Sequence, residues 1–130
     1  MKKKIWIPIL CAALLLMIVS AVFYFESTGV PSGEVTIHYG RKAVTLTPDE
    51  ADLMRSIFRF KFYNNGIGGC SYDQSTCITI GDTVYAIATD GCYTAKNWQN
   101  GRCFEFNREE YDQIAALFEK YFGKTPPYLQ

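Results

Sequence analysis

TCITIGDTVYAIAT, residues 76–89, decides the fold. Two apolar-rich runs, Thr76–Ile80 and Thr83–Thr89, flank Gly81-Asp82, and glycine at the first of two turn positions suits a type II′ hairpin. That register sets Ile78 opposite Tyr85 on one face and Cys77 opposite Ala86 on the other. Upstream the pattern repeats. Glu34–Tyr39 alternates Val35, Ile37 and Tyr39 with Glu34, Thr36 and His38, the signature of a half-buried strand. Lys42–Leu46 follows with Val44 and Leu46. A Gly40-Arg41 turn brings Ile37 to Val44 and Val35 to Leu46, so pattern and turn agree.

Between the hairpins, Thr47-Pro48-Asp49-Glu50 predicts a helix start: threonine as cap, proline at the first helical position, glutamate closing a capping box. Leu53, Met54, Ile57 and Phe58 recur at helical spacing, with an expected end near Phe60 or Lys61. Asn64-Asn65-Gly66 is the expected stop and Gly66-Ile67-Gly68-Gly69 a mobile loop. Downstream, Arg102–Phe106 reads as another strand with Phe104 and Phe106 facing the core. Asn107-Arg108-Glu109-Glu110 opens a last helix whose stripe is Tyr111, Ile114, Ala115, Phe118 and Tyr121 or Phe122. Gly123 and then Pro126-Pro127 end it. The expected order is β-β-α-β-β-β-α: an α+β domain, a small antiparallel sheet with two helices on one face.

Ahead of this domain, Lys2, Lys3 and Lys4 precede 21 uncharged residues, Ile5–Phe25. About 20 apolar residues suffice to cross a bilayer as a helix, and the lysines should stay in the cytoplasm, leaving the C-terminus outside. Cleavage after Val19-Ser20-Ala21 is the rival, giving a secreted product. The apolar run continues past it through Val22, Phe23, Tyr24 and Phe25, whose aromatics suit an interfacial belt, so an uncleaved anchor is the favoured expectation. Cys11 follows Pro8-Ile9-Leu10, a poor lipoprotein context, and reads as a structural hydrophobe. Residues 1–25 are thus a signal anchor or signal peptide, 26–33 (ESTGVPSG) a flexible linker, and 34–130 an extracytoplasmic domain.

The chain carries thirteen basic and thirteen acidic residues; setting aside Lys2, Lys3 and Lys4 leaves ten basic. A mildly acidic exported part argues against nucleic acid as partner. The remaining 97 residues are enough for one core.

Cys70, Cys77, Cys92 and Cys103 form an even set in an exported domain, favouring disulfides over metal. The spacings include no CxxC pair of the zinc or thioredoxin type. Extending the Gly81-Asp82 register brings position 71 opposite Cys92, which tips the pairing to Cys70–Cys92. The remaining pair, Cys77–Cys103, shares a face by parity but lies about two strand spacings apart, too far to bridge without a bend. Pairing Cys70–Cys77 and Cys92–Cys103 stays open as the local alternative.

No catalytic constellation, cofactor motif or metal site is legible. His38 is the sole histidine and has no triad context, and the chain contains no HExxH, GxSxG or phosphate loop. Asp73, Asp82 and Asp90 sit where turns favour aspartate. The best surface candidate is the polar loop Tyr93–Gly101, with Tyr93, Lys96, Trp98 and Arg102 as partner-binding residues, since exposed Trp with Tyr and basic neighbours typifies interface hot spots. The alternative is that Trp98 folds back to plug the core edge.

A cysteine after a Gly-rich loop, two short strands, Thr89-Asp90-Gly91-Cys92 and a terminal amphipathic helix together resemble small exported, membrane-tethered bacterial domains of uncharacterised function. The resemblance spans roughly Leu46 to Gly123 and implies a disulfide-containing domain without implying an activity. The expected function is a membrane-anchored, non-enzymatic interaction module that binds a protein partner of the cell envelope. The alternatives are an inhibitor or immunity-type protein against a secreted enzyme or toxin, and a thiol-redox or other enzyme.

Overall fold

The two hairpins lie side by side in one sheet. The computed structural model describes residues 3–64 and 70–124. Its elements are α1 (Lys3–Phe25), β1 (Val35–Tyr39), β2 (Lys42–Thr45), α2 (Pro48–Ile57), β3 (Tyr72–Ile80), β4 (Thr83–Ala88), β5 (Thr94–Asn97), β6 (Cys103–Glu105) and α3 (Arg108–Phe122). The six strands run antiparallel in the order β2-β1-β3-β4-β5-β6. This is the expected α+β class, with one strand more than the sequence reading found. That strand, β5, lies inside the stretch read as a polar loop.

Both hairpin registers are as expected: Ile37 faces Val44, and Ile78 faces Tyr85. Gly40 and Gly81 have φ of 61° and 59°, while the turn residues after them, Arg41 and Asp82, do not enter positive φ. That combination fits type II′ and excludes type I′, which needs positive φ at both positions. Strand β3 begins at Tyr72, four residues ahead of the expected Thr76, because an irregularity between Tyr72 and Cys77 lets the strand bend and resume pairing at Ala88.

The capping boxes form at both helices, Thr47 with Glu50 and Asn107 with Glu110. Helix α2 stops at Ile57 with Phe58 as its cap, earlier than the expected Phe60 or Lys61. The chain turns out of the helix there, and Phe60 takes φ 51°. The stripe of α3 is Tyr111, Ile114, Leu117 and Phe118, with Leu117 buried in place of the expected Ala115. Gly123, at φ 71°, closes α3 in the left-handed conformation. The expected loop over Gly66–Gly69 and the Pro126-Pro127 stop lie outside the described residues.

One parity of the sheet, carrying Val35, Ile37, Ile78, Ile80, Tyr85, Ile87, Ala95 and Phe104, forms a single core with both amphipathic helices. Phe58 sits at its centre, its ring 4.8 Å from Tyr85, 5.7 Å from Phe104 and 5.3 Å from Phe106. Burying such a side chain stabilises by roughly 1.5–3 kcal/mol. Among the described residues no helix covers the other parity, which includes Thr36, His38, Thr79, Val84, Lys96 and Glu105.

The stretch Glu26–Gly33 joins helix to domain, but it is not loose. Thr28 N–H donates to the Lys61 carbonyl at 2.9 Å, Tyr63 N–H to Glu26 at 2.9 Å and Phe60 N–H to Gly29 at 2.8 Å. The Thr28 hydroxyl donates to the Phe58 carbonyl and accepts from Lys61 N–H. Arg55 fastens the far end, donating to the Gly33 carbonyl at 2.8 Å. The expected flexible linker is a strap zipped along residues 58–63.

Candidate partner-binding face

A single rung of residues crosses all six strands on the open face: Ala43, His38, Cys77, Ala86, Lys96, Cys103. Small side chains in β4 shape what stands on it. Ala86 and Ala88 are small and fully buried, and Tyr72 on β3 reaches over β4 to place its hydroxyl 2.7 Å from that of Thr94 on β5. Burial pushes the Tyr72 phenol up to about 12. The phenol is therefore a fixed, neutral hydrogen-bonding group.

Lys96 rises beside this ring. Its ammonium lies 6.0 Å from the Tyr72 ring and 5.3 Å from the Trp98 ring, both within cation–π range. Trp98 continues the β5 ladder, donating its N–H to the Val84 carbonyl at 2.9 Å, so its side chain stands on the same open face. It is 40% exposed, which answers whether it plugs the core: it does not.

The turn that follows is braced. Asn97, buried, accepts from Gln99 N–H at 3.0 Å and Asn100 N–H at 3.3 Å, and donates to the Tyr63 hydroxyl at 2.8 Å. The Gln99 side chain accepts from Val84 N–H at 3.2 Å and donates to the Asp82 carbonyl at 2.9 Å. Trp98 is thus held by bonds on both sides, and a preorganised aromatic loses little freedom on binding.

The four residues singled out in the sequence do not converge. Lys96 and Trp98 share the open face. Tyr93 belongs to the helix side, its ring centroid 4.6 Å from that of Tyr111, and Arg102 lies over the Tyr63 ring at 5.1 Å. The member that spacing could not supply is Tyr72, more than twenty residues upstream and brought in by the bend in β3.

Cys70 and Cys92 form the disulfide, with Cα atoms 6.2 Å apart. Asp90 braces it, accepting from Ser71 N–H at 2.9 Å and from Cys92 N–H at 3.5 Å. Asp90 and the two sulfurs cluster closely, but joined sulfurs are not thiolates and cannot serve as metal ligands of that kind. Cys77 and Cys103 are unpaired, as is Cys11. Strands β4 and β5 separate Cys77 from Cys103, making three strand spacings rather than two, roughly 14 Å. The local alternative, Cys70–Cys77 with Cys92–Cys103, does not occur. Burial pushes the Cys77 thiol up to about 11. His38 accompanies it on the open face, its Nε2 3.2 Å from the Thr79 hydroxyl oxygen.

Helix α1 is long and apolar enough to be a membrane span or a signal peptide, with mean hydropathy 2.7 over an 18-residue window within Lys4–Phe25. No family model, no curated protein and no solved structure matches this chain.

Proposed function

We propose that this chain is a single-pass membrane protein whose α+β domain stands outside the cytoplasm and binds a protein partner of the envelope through the open face of its sheet. The observation that carries the proposal is the grouping of Trp98, Lys96 and Tyr72 on that face. A half-exposed indole with a cation stacked between two aromatic rings offers apolar contact and a charge at one point. Central aromatic and basic residues are what dominate binding energy at interfaces.

Address and chemistry support the same reading. Lysines at the N-terminal end of α1 favour the cytoplasmic side for that end, and a disulfide belongs in an oxidising compartment. A redox thiol should be exposed and of low pKa; Cys77 is neither, and the free, partly exposed Cys103 has no second thiol on the strand beside it. The partner role is tested by crosslinking in native membranes, purification and non-reducing mass spectrometry. A stoichiometric exported or membrane partner is expected with the wild type, and Trp98→Ala and Lys96→Ala should lose it. A partner retained by both variants would overturn the assignment of the face.

A further inference from the structure

We infer that Phe60 and Phe62 seat the domain directly on the phospholipid bilayer that α1 enters, an inference that rests on the reading of α1 as an uncleaved anchor. The strap leaves no slack between helix and domain. Ser27 pairs with Phe62 as an antiparallel bridge two residues beyond the end of α1, and the Phe62 ring packs edge-on against Phe23 at 6.0 Å. Phe62 therefore shares the depth of the last turn of the helix.

Around it the apolar surface is continuous with that helix. Phe25 is 78% exposed, Phe62 56% and Phe60 44%. Lys61, between the two phenylalanines, turns the other way to make an ion pair with Glu110 at 2.5 Å. Phe60 and Phe62 are thereby left on the outer side. Phe60 is also the only described non-glycine residue with positive φ, 51°. An aromatic residue kept in the left-handed region persists only where its surroundings dictate it, and here its own N–H is tied to the strap at Gly29. Arg59 stacks over the Phe60 ring at 5.6 Å, placing a cation at headgroup level beside a ring at the acyl boundary. Aromatic rings partition to that depth, and a basic neighbour suits the phosphates. A docked domain would present a fixed orientation of its open face to partners in the same membrane.

The test reconstitutes the full chain in phosphatidylcholine and phosphatidylglycerol vesicles containing bromine-labelled lipid, a short-range quencher of indole fluorescence. Trp98→Phe leaves Trp6 in α1 as sole reporter; Trp6→Phe/Trp98→Phe/Phe60→Trp moves the reporter to position 60, and Phe62→Trp in the same background guards against misfolding of the first. The expected result is quenching at 60 and 62 comparable to that of Trp6, strongest with bromine near the headgroup. Quenching of Trp6 without quenching at 60 or 62 overturns the docking and leaves the anchor standing. Absence of quenching at all three overturns the anchor reading and this inference with it. Emission at 60 that is shielded from water yet unaffected by lipid bromine would point to a second copy covering the patch, and also overturns it.

Discussion

Cys77 and Cys103 occupy the same rung of the sheet and face the same side, yet Ala86 and Lys96 stand between them. Disulfides need Cα atoms within about 7 Å, so the two thiols stay free while Cys70–Cys92 closes. Intact mass under non-reducing conditions should therefore fall short of the reduced chain by the hydrogens of one disulfide. In the folded protein, alkylation at neutral pH should reach the partly exposed Cys103 and spare Cys77, which is buried and raised to about 11. A mass deficit of two disulfides would contradict the placement of β5.

The Cys70–Cys92 bridge closes a loop of sequence separation 22 that includes the whole β3–β4 hairpin. The chain-entropy relation assigns such a loop about 3 kcal/mol. Cys92→Ser should lower unfolding stability by that order in denaturant titration of the detergent-solubilised chain. No loss would mean that the bracing by Asp90 alone holds this end of the sheet.

Glu50 couples the start of α2 to the end of α3. Its carboxylate accepts from Lys120 at 2.8 Å and from the Tyr121 hydroxyl at 2.5 Å, and these bonds hold it down at about 2 against an ordinary 4.5. A carboxyl depressed in the folded state stabilises fully above its unfolded value, and the contribution disappears as pH falls from about 4.5 towards 2. Lys120 is largely exposed, so screening keeps the effect modest. Thermal midpoints across that window should fall more steeply for the wild type than for Glu50→Gln. Parallel curves would refute the coupling.

Gly40 and Gly81 hold matching positions in the two hairpins with nearly equal φ, but only Gly81 meets the strap. A Cβ at Gly81 would lie 2.6 Å from the Ser32 carbonyl oxygen, whereas one at Gly40 meets nothing within 4 Å. Gly40→Ala should cost about 1–2 kcal/mol from the left-handed backbone alone. Gly81→Ala should cost at least about 1 kcal/mol more, because the overlap is with backbone that cannot swing aside. Equal losses would show the strap to be loosely held.

Phe60→Asn is expected to stabilise the detergent-solubilised chain by about 1 kcal/mol, since asparagine tolerates the left-handed region. A large loss of stability would mean that the ring packs inward.

Hairpins, caps and helix faces were legible because each depends on neighbours in sequence. Gly81-Asp82 sets a register, and Thr47 with Glu50 closes a box within four residues. Strand β5 was hidden for the opposite reason. Thr94-Ala95-Lys96-Asn97 carries little apolar alternation, and Asn97 is admitted to the interior by a hydrogen bond to Tyr63, 34 positions away. The Ser, Gly and Pro content of the strap suggests a loose linker, because its backbone partners at 58–63 leave no mark in its own composition. Of the candidate site, Lys96 and Trp98 were legible as a basic and an aromatic residue of a polar loop, and it is the hidden strand that sets both on one face. Tyr72 was not, because its place beside Lys96 depends on the bend in β3 and on the small Ala86 and Ala88 beneath it. Tyr93 and Arg102 were drawn in by proximity in sequence, which alternation across a strand divides between two faces.

The most direct measurement places a photoreactive phenylalanine analogue at Trp98 and, as control, at Asp112 on the solvent side of α3, with irradiation in native membranes. One stoichiometric protein adduct is expected from position 98 and none from 112. No adduct from 98, or the same adducts from both positions, would contradict the proposed binding face.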